Sequence, residues 1–80
     1  MTLEMAFGLV LQRVRRASDL TQEDLGFAAG VHRTYVSILE RGEKSPTLSV
    51  LARLATALGT TPSVLLQEAE QELGSRQGNA

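Results

Sequence analysis

Residues 21–42 read TQEDLGFAAGVHRTYVSILERG, and the fold turns on this stretch. Thr21 stands three residues before Asp24, a T-x-x-D pattern close to a capping box, in which a hydroxyl and a carboxylate each satisfy a free N–H at a helix start. Glu23 and Asp24 put negative charge in the first turn, where the helix dipole favours it. Leu25 and Ala28, three apart, form the expected buried face. Ala29 and Gly30 are expected to end this helix, since glycine can take the positive φ that a tight turn needs. A second helix is expected from near His32, with Val36 and Leu39 on its inner face and Gly42 as its stop. Arg33, Thr34, Ser37 and Arg41 then share a polar strip on the other side. Two helices of about nine residues around a glycine-containing turn have the spacing of a helix-turn-helix whose second helix enters the DNA major groove.

The rest of the chain is consistent with one small domain. Its 80 residues are 42% hydrophobic and 21% charged, which fits a globular chain with a single core. It has no cysteine and one histidine, so disulfides and cysteine-ligated zinc are excluded and a histidine-based metal centre is not expected. No apolar run approaches the ~20 residues of a membrane helix, and residues 1–11 lack a signal-peptide pattern. A cytoplasmic location is expected. The net charge of −1 means that any nucleic-acid binding rests on a local basic surface, not on the field of the whole molecule. Residues 1–53 hold seven basic and six acidic groups, and residues 54–80 hold one and three. No nucleophile–base pair, metal constellation or phosphate-binding glycine loop is present, so the chain is not expected to be an enzyme, nor to need a cofactor or a small-molecule ligand.

Outward from the central stretch, a first helix is predicted from Thr2 or Leu3 to Ala17. Phe7, Leu11 and Val14 form its inward stripe, widened by Val10. Arg13 and Arg16 fall outside that stripe, on a solvated face or free for other contacts. After Gly42 a loop carries Lys44, which with Arg41 is available to a DNA backbone, while Glu43 between them dilutes the charge. Thr47 is a cap for a fourth helix in which Leu48, Leu51, Leu54, Ala55 and Leu58 close the core. Gly59 ends it. Thr61 caps a fifth helix with Pro62 in its first turn, a favoured place for proline. Residues 74–80, GSRQGNA, read as a flexible tail. Leu65 suits the core, whereas Leu66, Ala69 and Leu73 form a second stripe. That stripe either packs at the edge of the domain or faces a second copy of the chain.

The strings L-T-Q-E-D-L, G-V-x-R-T-Y-V-S-x-L-E-R-G and S-P-T-L together resemble the lambda-repressor-like, Cro/Xre family of bacterial DNA-binding regulators. With the flanking helices the resemblance spans most of residues 7–66. It implies an all-α, five-helix DNA-binding domain over residues 1–73 with a central helix-turn-helix, residues 62–73 serving as a dimerisation helix. The length and the R-T-Y-V-S segment resemble the small controller proteins of restriction–modification systems. The expected function is regulation of transcription by a homodimer on a palindromic operator in double-stranded DNA, with residues 32–41 in the major groove. An antitoxin, or an interaction module that kept the fold, is the alternative.

The resemblance also assigns roles. Arg15 is expected to pair with Glu40, tying the first helix to the third. Gln22 is expected to hold a DNA phosphate, or else to be an exposed polar residue. His32 is expected to be exposed or phosphate-facing, and Tyr35 to pack at the helix edge. Asp19 stands where many relatives carry glycine, in a position suited to left-handed backbone. Gly26 replaces a common alanine at a cost of about 1 kcal/mol in helix propensity, for which the sequence offers no reason. For base reading, Arg33 can donate twice to a guanine edge, and the Thr34 methyl can meet a thymine methyl. Ser37 can reach a base or a phosphate. Ile38 either touches a thymine methyl or is partly buried against the fourth helix.

Overall fold

A computed structural model of the chain describes residues 1–77. These residues form α1 (Leu3–Ala17), α2 (Gln22–Ala29), α3 (Arg33–Glu40), α4 (Leu48–Ala57) and α5 (Pro62–Gln77), with no strand among them. The expected all-α, five-helix architecture is what forms.

Each start has a side chain that explains it. Thr2 caps α1 by accepting from the Met5 N–H at 3.1 Å. Thr21 and Asp24 complete the capping box of α2, each accepting at 3.0 Å from the other's backbone. Thr47 caps α4 through the Val50 N–H, and Thr61 accepts from the Val64 N–H at the start of α5. Asp19 adopts φ 58° between α1 and α2, the left-handed conformation anticipated for it.

The core draws Ala6, Phe7, Val10 and Leu11 from α1, Leu25 and Ala29 from α2, and Val36 and Leu39 from α3. Val50, Leu51, Leu54 and Ala55 of α4 and Leu65 and Ala69 of α5 complete it. Packing runs mainly along α1 against α5 and α3, with α2 against α3 and α4. Two glycines set how closely the elements around α3 approach. A β-carbon at position 8 would fall 2.5 Å from the carbonyl oxygens of both Leu39 and Glu40, so glycine lets α1 lie directly on the end of α3. At position 26 it would fall 2.6 Å from the Val31 oxygen, inside the turn between α2 and α3. That contact supplies the reason for Gly26 that the sequence lacked.

Four expectations need correction. Ala28 is exposed, and Ala29 takes the buried place beside Leu25, because the inward spacing in this short helix is four residues, not three. Leu48 is 83% exposed. The buried stripe of α4 is centred between positions 50–51 and 54–55, which at 100° per residue leaves position 48 about 90° to one side.

In α5 the inward pair is Leu65 and Ala69, both fully buried, with Leu73 packed partly against the core and Leu66 exposed. Leu66, Ala69 and Leu73 therefore do not form one outer stripe. Finally, α5 does not stop at residue 73. It runs through Gly74 to Gln77, and an Arg76–Glu72 ion pair at 2.9 Å bridges one turn across that glycine. The remainder of the expected tail, residues 78–80, lies outside the described residues.

Candidate nucleic-acid interface

The tight turn that makes the central unit is built by Gly30 at φ 73° and by the Val31 N–H returning to the Gly26 carbonyl at 2.8 Å. His32 then caps α3. Its Nδ1 accepts from the Thr34 N–H at 3.0 Å, which places its ring proton on Nε2 when the imidazole is neutral. The sequence offered no such role, because a ring nitrogen is not among the common capping groups.

From that cap, α3 separates two faces. Val36, Leu39 and Glu40 are buried, while Arg33 and Thr34 are exposed and Ser37 and Ile38 are partly so. Tyr35 packs against the core. Ile38 is half-buried and is not among the residues packed on the core cluster. Arg41, just past the end of the helix, is exposed and donates from Nη1 to the Ser37 hydroxyl. The expected polar strip of Arg33, Thr34, Ser37 and Arg41 thus exists as one surface.

Acidic neighbours answer the cations on that surface. Arg33 Nη1 lies 3.7 Å from a Glu23 carboxylate oxygen, with both side chains mostly in solvent. Arg41 Nε donates to Glu43 at 2.9 Å. Their mutual hydrogen bond raises the Arg41 guanidinium pKa and holds the Glu43 carboxyl below its ordinary value. Exposed pairs of this kind hold weakly and exchange readily for a stronger anion. Lys44 is exposed in the following loop.

Beneath the strip lies a buried ion pair. Arg15 Nε donates to Glu40 at 2.6 Å and Arg15 Nη2 donates to the other carboxylate oxygen at 3.0 Å. The side chains are 8% and 2% exposed. The hydrogen bond to Glu40 raises the Arg15 pKa, opposed by the burial that lowers it. Arg15 Nη1 also donates to the Leu20 carbonyl at 2.8 Å. The salt bridge implied by the resemblance is therefore present in full bidentate form. Gln22 joins this pair: its Nε2 donates to Glu40 Oε1 at 2.9 Å.

Other features were not legible beforehand. Phe27 is 91% exposed and borders a hollow with Glu23, Val31, His32 and Arg33. Arg13 is not simply solvated: it donates to Glu72 at 2.9 Å and to Glu68 at 3.3 Å, lashing α1 to α5. Leu3, Phe7, Pro46, Leu48, Leu51 and Leu66 line an apolar groove. Among the described residues, no cluster of side chains is arranged to hold a metal ion, and no single helix is long and apolar enough to cross a membrane.

Comparison with known proteins agrees with this geometry. The helix-turn-helix family model matches residues 11–65. The control protein C.SmaI of Serratia marcescens is 44% identical over 64 residues, covering 80% of this chain and 74% of the relative. Among solved structures, the restriction–modification controller protein C.AhdI from Aeromonas hydrophila is 40% identical, with a TM-score of 0.76 over 78% of this chain and 94% of that one. The clp gene regulator ClgR from Corynebacterium glutamicum superposes with a TM-score of 0.92 at 31% identity, over 98% of this chain and 83% of its own. The fold, the cap-to-cap geometry of α2 and α3 and the extent of these matches place the chain in the helix-turn-helix family, within its lambda-repressor-like, Cro/Xre group.

Proposed function

We propose that the chain is a cytoplasmic, sequence-specific DNA-binding regulator of transcription that engages a palindromic operator as a homodimer. The observation that carries this reading is the division of α3 into a buried face and an outward strip of Arg33, Thr34, Ser37 and Arg41 beside the N-terminus of α2. In this reading α3 lies in the major groove, Arg33 exchanges the exposed Glu23 for a guanine edge, and Thr34, Ser37 and Ile38 meet neighbouring bases. Gln22, His32, Arg41 and Lys44 hold phosphates and set the register. The similarity to controller proteins supports this assignment over an antitoxin or a bare interaction module.

Homodimerisation follows from the small electrostatic footprint. One unit with few phosphate contacts binds weakly, whereas joining two makes the second engagement intramolecular and raises avidity by roughly 10²–10⁴. With Ala69 in the core, the surface that supports pairing is the groove around Leu66, where Leu3 and Leu48 are also exposed. A two-fold axis there is to set the two copies of α3 about 34 Å apart, one helical turn of DNA. Selection of bound fragments from random duplexes tests the whole reading. A palindrome with half-sites one turn apart is expected, and recovery of unrelated sequences at salt-independent affinity would refute it.

A further inference from the structure

Three groups meet under the N-terminus of α2. The Glu40 carboxylate receives Arg15 through two bonds and Gln22 through one, while Arg15 also holds the Leu20 carbonyl. A carboxylate only accepts, so the Gln22 carboxamide must turn its nitrogen inward. One of that nitrogen's two N–H groups is then spent on Glu40. The other makes no hydrogen bond among the described residues, and Gln22 lines an open hollow with Arg15, Leu20, Thr21, Glu23 and Arg33. The same carboxylate stands on the last residue of α3, which links the end of the base-reading helix to the first residue of α2.

We infer that Glu40 is a positioning residue for DNA binding: it orients the Gln22 carboxamide so that the remaining N–H is preset to donate to a DNA phosphate. This rests on the reading of the protein as a DNA-binding regulator. In solution an unrestrained glutamine side chain loses rotamer freedom on binding. Here that ordering is complete before DNA arrives, and it is referenced to α3, so phosphate register and base register are set by one anion.

The experiment uses the full chain and fluorescence anisotropy with a selected duplex and an unrelated one, at a temperature where circular dichroism shows each variant folded. Gln22→Met keeps the length and removes the donor. It is expected to bind both duplexes about 3- to 10-fold more weakly, the worth of one hydrogen bond. The slope of log affinity against log salt should not change, because a neutral donor releases no counterion. Glu40→Met, which removes the acceptor at similar length, should show a similar loss with the same unchanged slope and, placed on Gln22→Met, should add nothing.

Equal binding by Glu40→Met and wild type, or losses that multiply in the double variant, would show that Glu40 serves only the fold. A readout on the wild-type protein does not depend on any variant folding. The Gln22 side-chain N–H₂ should be rigid by nitrogen relaxation in the free protein, and a freely rotating group would overturn the inference. Failure of the wild type to bind any duplex would instead remove the regulator reading, and this one with it.

Discussion

Gly8→Ala pits helix propensity against packing, and the two predict opposite signs. Alanine is favoured over glycine inside a helix by about 1 kcal/mol, and Gly8 lies within α1. Propensity alone therefore predicts a more stable protein. The added β-carbon, however, would lie 2.5 Å from two backbone oxygens, those of Leu39 and Glu40, and 2.9 Å from the Glu40 carbonyl carbon. Carbon and carbonyl oxygen settle no closer than about 3.3 Å, so α1 and the end of α3 must separate by roughly 0.8 Å. The obstacles are main-chain atoms at a helix end, which cannot swing away as a side-chain tip would. Overpacking costs typically 1–3 kcal/mol, and this geometry belongs at the upper end, about 3. The net expectation is a loss of about 2 kcal/mol, or a melting point lower by roughly 8–16 °C for a domain of this size. Thermal and urea unfolding followed by circular dichroism measure it. A Gly8→Ala protein as stable as wild type, or more so, would show that α1 and α3 are not locked at this contact.

Removing either partner of the buried pair, by Arg15→Ala or Glu40→Ala, should cost about 3–5 kcal/mol because it strands a buried charge. The double variant should lose less than the sum, and strict additivity in urea titrations would deny the coupling. Arg33→Ala should cost about 1–3 kcal/mol of binding and relax preference at one guanine per half-site; a loss uniform across sequences in competition assays would reassign it to a phosphate. Leu48→Glu and Leu66→Glu should leave the helical spectrum unchanged and shift sedimentation to monomer, and a Leu48→Glu protein that stayed dimeric would place the interface elsewhere. Asp24 has its pKa lowered by hydrogen bonds from the Thr21 backbone and then its side chain. Its contribution is therefore present above the ordinary carboxylate range and is lost as pH falls through the lowered value, so Asp24→Asn should flatten the acid side of a stability–pH profile.

The helix-turn-helix was legible because its signals are local. A capping box, a glycine at positive φ and a 3–4 residue apolar spacing each act within one or two turns, and all three hold. What escaped depended on direction in three dimensions. Leu48 matches the spacing of the core stripe in α4 and Ala69 that of the outer stripe in α5, yet spacing does not say which of two adjacent stripes meets the core: Val50 takes the buried place in α4, and Ala69 joins Leu65 inside. The composition of residues 74–80 reads as a tail, but Gly74 does not take positive φ and α5 continues through it. The Arg15–Glu40 pair, 25 positions apart, came from the resemblance and from no periodic pattern, and the further bond of Glu40 to Gln22, 18 positions away, was not anticipated at all. Gly26 makes sense only once the Val31 oxygen is placed beside it.

The buried Arg15–Glu40 pair also constrains how such a sequence can drift. Any single replacement at either position passes through an intermediate weakened by about 3–5 kcal/mol, against a total stability of roughly 5–15 kcal/mol for a whole domain. Exchange of the pair for apolar residues is tolerable at its endpoints, but the path between them crosses a valley. Gln22 extends that constraint to a third position, since its inward nitrogen would face no acceptor once Glu40 is gone. The outer strip carries no comparable barrier: Arg33, Thr34 and Arg41 are exposed and held at most by weak surface pairs. On the proposed reading, a library built on this scaffold to recognise new operators should therefore freeze positions 15, 22 and 40 as one unit and spend its diversity on 33, 34, 37 and 38.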